Sequence, residues 1–151
     1  MLNRCLENEV LAALEAYLDK YRENEANRLT TQDWHTLKVI RRFLKSLHDA
    51  TLCTKGANAT MDRVLPAIEY IMDCFEKGKQ AYKEDASNTF LLSCYNAGWE
   101  KIDKYYALTN DTPVYITSIV LDPTMKWEYF EDIWEDKPNW VTAGKAKVQK
   151  F

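Results

Sequence analysis

Residues 113–126 read Pro-Val-Tyr-Ile-Thr-Ser-Ile-Val-Leu-Asp-Pro-Thr-Met-Lys, and this stretch distinguishes a helical fold from a mixed one. Asp is a preferred N-cap residue because its carboxylate accepts a backbone N–H of the new helix. Pro is favoured at the first helical position, where its missing N–H costs nothing. We therefore expect an apolar segment to end at Leu121 and a helix to run from Pro123 to about Trp134.

The segment before this junction has two interpretations. Residues 114–121 are rich in β-branched side chains, which on propensity alone favour a strand. Thr112 and Pro113, however, repeat the combination of a capping residue and a proline that begins helices. We predict a helix here, and a strand remains the alternative.

The rest of the chain shows apolar side chains at helical spacing. These stripes cover residues 4–26, 34–48, 61–75 and 88–107. Thr30, followed three residues later by Asp33, resembles a capping box at the start of the second helix. Residues 51–59 hold Thr, Gly and Asn and indicate a loop.

Two further signals mark the later helices. Thr60 is a candidate cap of the third helix, and Pro66 should kink that helix or push its start later. Asn139 is a candidate cap of a last helix that reaches the C-terminus. We predict an all-α fold, an irregular bundle of about six or seven helices with short loops, forming one helical domain over residues 1–151.

Composition excludes several classes of protein. Hydrophobic residues make up 46% and aromatic residues 13% of the chain, which is typical of a packed globule rather than a disordered segment. The formal net charge of −3 does not attract nucleic acid to the whole molecule, so any DNA contact requires a local basic patch.

The cysteines and the hydropathy pattern indicate an intracellular protein. The four cysteines form no Cys-x-x-Cys pair and no cluster with zinc spacing, so we expect reduced and mostly buried thiols. The charged N-terminal segment is unlike a signal peptide, and no stretch reaches the apolar length that spans a bilayer. We expect no membrane partner.

Five short blocks of the sequence carry a resemblance to a known family. They are Met1-Leu2-Asn3-Arg4, Leu29 with Asp33-Trp34, Ala50-Thr51 with Gly56, Thr60 and Val64-Leu65-Pro66, Lys101 with Lys104-Tyr105-Tyr106, and Leu121-Asp122-Pro123 with Lys126. In this order they resemble the helical domain that is inserted into the ribonuclease H-like catalytic fold of hAT-superfamily DNA transposases. Thr124 departs from the pattern, because the family usually has Arg there.

This resemblance implies a protein without catalytic activity. The family cuts DNA with an Asp-Asp-Glu triad that holds two divalent metals, and these positions flank the inserted domain. All three would lie outside this chain, so we expect no catalytic residues, no metal and no cofactor. The resemblance implies an inactive fragment of a transposable element, located in the nucleus, with double-stranded DNA, a transposase or a second copy of the chain as possible partners.

Four cations at helical spacing form the candidate DNA-binding site. Lys38, Arg41, Arg42 and Lys45 lie at i, i+3, i+4 and i+7 of the second helix, opposite the apolar side chains Trp34, Leu37 and Leu44. Such a stripe can contact several phosphates. The alternatives are an ordinary solvated face and, for the whole domain, a protein–protein interaction or self-association module that does not bind DNA.

Other chemical groups carry weaker signals. Glu128, Asp132 and Glu135 share a helix face and can in principle hold a metal, but no His joins them and a solvated face is the favoured interpretation. The five tryptophans are interpreted as core residues rather than base-stacking platforms, and Trp140 fits the core least well. His35 and His48 have no Ser or Cys partner for nucleophilic catalysis and are expected to be exposed.

Overall fold

The computed structural model describes residues 2–57, 59–84 and 88–150, and these residues form eight α-helices and no β-strand. The helices are α1 (Leu2–Cys5), α2 (Asn8–Lys20), α3 (Thr31–Cys53), α4 (Val64–Tyr82), α5 (Thr89–Leu108), α6 (Val114–Val120), α7 (Lys126–Ile133) and α8 (Pro138–Gln149). Short 3₁₀ turns lie at Arg22–Asn27, Met61–Arg63 and Thr109–Asp111. The all-α prediction is confirmed. The helix count exceeds six or seven because the first predicted helix is divided into α1, α2 and a 3₁₀ turn.

The chain divides into two compact units, Met1–Ser46 and Leu47–Phe151. The first unit contains α1, α2 and most of α3, and its buried side chains are Leu6 and Leu18. The second unit contains α4 to α8 and the main hydrophobic core. One domain over residues 1–151 stays a prediction. Met1, in the first of the family-like blocks, lies outside the described residues.

A reciprocal capping box begins α3, as the sequence predicts. The Asp33 carboxylate accepts hydrogen bonds from the Thr30 N–H at 2.8 Å and from the Thr30 hydroxyl at 2.7 Å, and the Thr30 hydroxyl oxygen accepts the Asp33 N–H at 3.2 Å. These bonds lower the pKa of Asp33. The helix continues to Cys53, beyond the predicted end near His48. The Thr51 hydroxyl donates to the Leu47 carbonyl at 2.8 Å, which lets a residue assigned to a loop stay helical.

Residues 114–120 are helical, so the structure selects the helix over the strand. The Thr112 hydroxyl oxygen accepts the Val114 N–H at 3.3 Å at the start of α6. Ile116 and Ile119 of this helix are buried in the core, Ile119 completely. Tertiary burial and the capping signal together outweigh the strand propensity of the β-branched residues.

The prediction that a helix opens at Pro123 is wrong, because α7 begins three residues later, at Lys126. The Asp122 carboxylate accepts hydrogen bonds from the Thr124 N–H at 2.7 Å and the Thr124 hydroxyl at 2.6 Å. These bonds close a local turn and lower the pKa of Asp122. Lys126 has a left-handed φ of 52°, which interrupts any helix that would run through from Pro123.

The two remaining prolines lie at the starts of helices. Pro66 is the third residue of α4, where its missing N–H has no helical partner, so the helix starts later than Thr60 and needs no kink. Pro138 is the first residue of α8 and Lys137 precedes it as the cap. Asn139 lies inside this helix, so its prediction as the cap is wrong, because Pro takes the first position.

The core of the second unit surrounds a polar network. Its buried residues are Leu65, Tyr106, Ile116, Ile119, Phe130, Trp134 and Val141. The Glu69 carboxylate accepts the Tyr106 hydroxyl at 2.8 Å and the Tyr129 hydroxyl at 2.6 Å, and the Trp134 indole N–H donates to the Tyr106 oxygen at 2.9 Å. This network connects α4, α5 and the end of α7. Each hydroxyl and the indole N–H in it has a partner, as buried polar groups require.

The expectation of mostly buried thiols is wrong. Cys5, Cys53 and Cys94 are exposed and Cys74 is half-buried, and all four are free. Cys94 is one turn after Phe90 and shares its exposed side of α5, next to the side on which Leu91 and Tyr106 are buried. The helical phase of this position therefore places it outside the core.

Candidate nucleic-acid interface

The four predicted cations lie together on one face of α3. Lys38, Arg42 and Lys45 are exposed, and Arg41 is half-buried. Seven residues of helix separate the first and last of them, which corresponds to about 10 Å along the axis. The capping box at Thr30 fixes the start of the helix that carries them. The arrangement is a short basic face that can contact a few consecutive phosphates.

Acidic residues flank this face in the sequence but do not interrupt it: Asp33 precedes it, and Asp49 follows Lys45 by four positions in the same helix. Residues 34–48 contain the four cations and no Asp or Glu. The nearest preceding carboxylate, Asp33, is bonded to Thr30. The local potential of this face is therefore positive although the whole chain carries a formal charge of −3.

The apolar side of the helix is only partly as predicted. Trp34 and Leu37 are half-buried, but Leu44 is 48% exposed. Leu44 is two helical turns from Leu37 and shares its side of the helix. The prediction that all three lie opposite the cations is wrong for Trp34, which comes one turn before Lys38 and shares its side of the helix. Leu44 is on the predicted apolar side, but that side is not fully covered there. His35 and His48 are exposed, as expected.

Arg28 is a cation that sequence reasoning missed, and its charge is neutralised. Its guanidinium pairs with Glu15, with Asp19 at 2.7 Å and with Glu25 at 2.9 Å. Hydrogen bonding to Asp19 is the main cause of a raised pKa of Arg28. Arg28 therefore fastens α2 to the segment before α3 and is occupied by carboxylates. Glu15 and Asp19 at i and i+4 of one helix were the signal that a cation pairs there.

The other candidate groups do not form a site. Glu128, Asp132 and Glu135 are all exposed. Within residues 2–57, 59–84 and 88–150, no group of three or more His, Cys, Asp or Glu side chains is placed to hold a metal ion. Trp134 is buried, as predicted for a core residue, and Trp34, Trp99 and Trp127 are half-buried. Trp140 is 42% exposed and differs from the rest, as expected.

No helix in the described part of the chain is both long and apolar enough to cross a membrane. No protein-family model matches this chain, and comparisons with curated proteins and with solved structures found no match either.

Proposed function

We propose that this chain is a non-catalytic helical module that binds double-stranded DNA weakly and without sequence preference. Its interface is the basic face of α3, formed by Lys38, Arg41, Arg42 and Lys45. The observation that carries the proposal is the exposure of Lys38 and Arg42, with half-buried Arg41 beside them, on a helical segment that has no carboxylate from residue 34 to residue 48. Lys and Arg side chains that contact phosphates release condensed counterions, and this is the main source of non-specific affinity.

The number of cations limits the strength and the specificity of such binding. Four cations neutralise at most four phosphates, which gives a modest affinity that salt removes readily. Contacts to phosphates position a protein on a duplex but carry no sequence information. The expected function is therefore to hold DNA rather than to recognise a site.

The proposal includes an origin in the hAT superfamily of transposases. The five sequence blocks that support it lie in the family's order over residues 1–126. The inserted helical domain of that family contributes to gripping transposon-end DNA, and its catalytic triad lies outside the domain. On this proposal the chain is an inactive relative that acts in the nucleus, with no metal or cofactor.

Charge reversal on α3 tests the interface. The variant K38E/R42E/K45E changes only exposed residues, and K101E/K104E/K150E is a matched control with the same change in net charge on exposed lysines elsewhere. Binding to a labelled random-sequence duplex is measured by fluorescence anisotropy at low salt, with the fold of each variant checked by circular dichroism. The α3 variant should lose binding and the control should retain most of it. Equal losses in both variants, or no binding by the parent chain, would contradict the proposal.

A second candidate function is self-association, and the exposed side of α5 favours it. Phe90 is 67% exposed and Leu108 is 54% exposed. The exposed residues between them on the same side of the helix are Cys94, Ala97, Lys101 and Lys104, so two lysines separate the apolar stripe near Phe90 from Leu108. This side is turned away from buried Leu91. A second copy of the chain can cover such a stripe with its own α5, because a two-fold contact uses the same surface twice.

Light scattering after size exclusion separates the two candidates. If α5 pairs with α5, the parent chain forms a dimer and F90S/L108S is a monomer. L52S/L121S removes two equally exposed leucines elsewhere in the second unit and should stay dimeric. A parent chain that is monomeric at high concentration excludes self-association and leaves the DNA proposal unaffected.

A further inference from the structure

A cavity of about 300 Å³ lies beside α8 in the second unit. Its walls include the indoles of Trp134 and Trp140 and the small residues Ala143 and Gly144, and its polar groups come from Asn110 and Lys147. A volume of this size is at the lower end of the range for small-molecule sites and suits a ligand of one or two rings.

The two indoles give the cavity aromatic walls rather than polar ones. Trp134 is buried, and its indole N–H is already donated to the Tyr106 hydroxyl oxygen at 2.9 Å. Trp140 packs edge-to-face against Trp134 with 5.7 Å between ring centroids and keeps 42% of its surface exposed. A planar ring that entered the cavity would contact carbon atoms of both indoles and would be stabilised by stacking or edge contacts.

Small residues on α8 keep the space open. Ala143 is exposed, and Gly144 is buried without a side chain. A Cβ placed on Gly144 would lie 3.6 Å from Ile116 Cδ1 and 3.8 Å from Trp134 Cζ3, which are ordinary contact distances. No neighbouring side chain is therefore pressed against this glycine.

The charge of the cavity is positive. The Lys147 ammonium donates to the Asn110 carbonyl oxygen at 3.0 Å, and among the described residues it pairs with no carboxylate. Lys137 does not line the cavity, and its ammonium lies 4.3 Å from the centroid of the Trp140 ring. None of the residues that line the cavity is Asp or Glu. An anionic group can therefore replace or join the carbonyl at Lys147 without meeting a like charge.

We propose that this cavity binds a small planar aromatic acid. The ring lies against Trp134 and Trp140, and the carboxylate pairs with Lys147. The proposal is independent of DNA binding, because it uses no residue of α3.

The test uses 2-naphthoate as the probe and its neutral isostere 2-naphthamide, each titrated calorimetrically into the full chain. The parent chain should bind the acid about tenfold more tightly than the amide, because a charge-assisted hydrogen bond is worth more than a neutral one. K147Q should reduce acid binding to the level of the amide and leave amide binding unchanged. K150Q, at an exposed lysine that does not line the cavity, should keep the parent's preference.

A second pair of variants locates the ring. A143F should fill the cavity from an exposed position and abolish binding of both probes, whereas A146F adds the same ring to the same helix outside the cavity and should bind as the parent does. Thermal unfolding checks that each variant is folded. Equal affinity for acid and amide, a K147Q variant that keeps the preference, equal effects of A143F and A146F, or no binding of naphthoate at about millimolar concentration would each overturn the proposal.

Discussion

Gly98 of α5 lies directly beneath the ring of Phe75 of α4. A Cβ at Gly98 would be 2.0 Å from Phe75 Cε1, which is far closer than two non-bonded carbon atoms can approach. Tyr95 of α5 likewise packs against Gly78 of α4, where a Cβ would lie 2.2 Å from the Tyr95 ring. The rings of Phe75 and Tyr95 meet nearly edge-to-face. Each helix therefore provides a glycine that receives an aromatic ring of the other, which lets α4 and α5 pack closely.

This packing predicts that Gly98→Ala destabilises the second unit. The buried Phe75 ring would have to leave its position, and overpacking of this kind costs about 1–3 kcal/mol. The better helix propensity of Ala offsets up to about 1 kcal/mol of that cost. With the full offset, we expect a net loss of up to about 2 kcal/mol in the free energy of unfolding, measured with urea.

Gly144→Ala is the matched control for that measurement. Gly144 also lies inside a helix and is buried, whereas Gly98 is half-buried, and a Cβ on Gly144 meets its nearest neighbours at 3.6 Å or more. Ala should therefore fit and stabilise α8 by about 0.5–1 kcal/mol through its helix propensity. A G98A variant as stable as G144A would show that the Phe75 ring does not constrain this position.

The second prediction concerns Glu69, which accepts two tyrosine hydroxyls. Replacement by Gln keeps the shape but substitutes an N–H₂ group for one acceptor oxygen, so one of the two hydroxyls loses its acceptor. We expect Glu69→Gln to destabilise the protein by about 1–3 kcal/mol, the cost of a buried unsatisfied polar group. Among the described residues, Glu76 accepts only the Trp99 indole N–H, at an exposed position. Glu76→Gln should therefore change stability by less than about 0.5 kcal/mol.

The third prediction is a loss of stability in alkaline solution. Burial raises the pKa of Tyr106 and of Tyr129, and the adjacent Glu69 carboxylate adds to both shifts. Above the ordinary tyrosine pKa of about 10, the unfolded chain releases these protons and the folded chain keeps them. Above this pH the folded state binds more protons than the unfolded state. The free energy of unfolding is therefore unaffected by these groups below pH of about 10 and falls as the pH rises above it.

Urea unfolding at several pH values measures this slope. Each tyrosine contributes at most about 1.4 kcal/mol per pH unit. Y106F/Y129F removes both titrating groups and should flatten the profile relative to the parent chain, even if its stability at neutral pH is lower. Parallel profiles for the two proteins would mean that other groups cause the loss.

The fourth prediction is the salt dependence of DNA binding. If three or four cations of α3 contact phosphates, the logarithm of the binding constant should fall with the logarithm of salt concentration with a slope of about −3 to −4. Lys38→Gln and Arg42→Gln should each reduce the size of the slope by about 1. Lys101→Gln is a control at an exposed lysine outside α3 and should leave the slope unchanged.

Local signals in the sequence predicted local structure well. Thr30 with Asp33 and Thr112 with Pro113 each begin a helix as expected, because a capping bond joins residues within one turn. Asp122 carried the same kind of signal but bonds to Thr124 in a tighter turn. The Asp122 carboxylate could accept the backbone N–H of a helix that starts at Pro123 or that of Thr124 in a turn. No residue type in the sequence predicts the left-handed backbone of Lys126 that follows the turn.

Contacts between residues that are far apart in the chain could not be predicted from the sequence. The basic face of α3 could be predicted because its four members lie within eight residues of one helix. The Glu69 network could not, because its hydroxyl partners are 37 and 60 residues away in the chain. The cavity beside α8 likewise joins Asn110 to Lys147, which meet only when the second unit is folded.

The separations within the Glu69 network have a kinetic consequence. α4 and α5 are adjacent in the chain and can form a helical hairpin early, whereas the bond to Tyr129 closes a longer loop and must wait for α7. During synthesis the Glu69 carboxylate stays hydrated until residues of α7 have left the ribosome. We expect the last step of folding to be the simultaneous docking of α7 and dehydration of this carboxylate, so that substitutions at Tyr129 change the unfolding rate more than the folding rate.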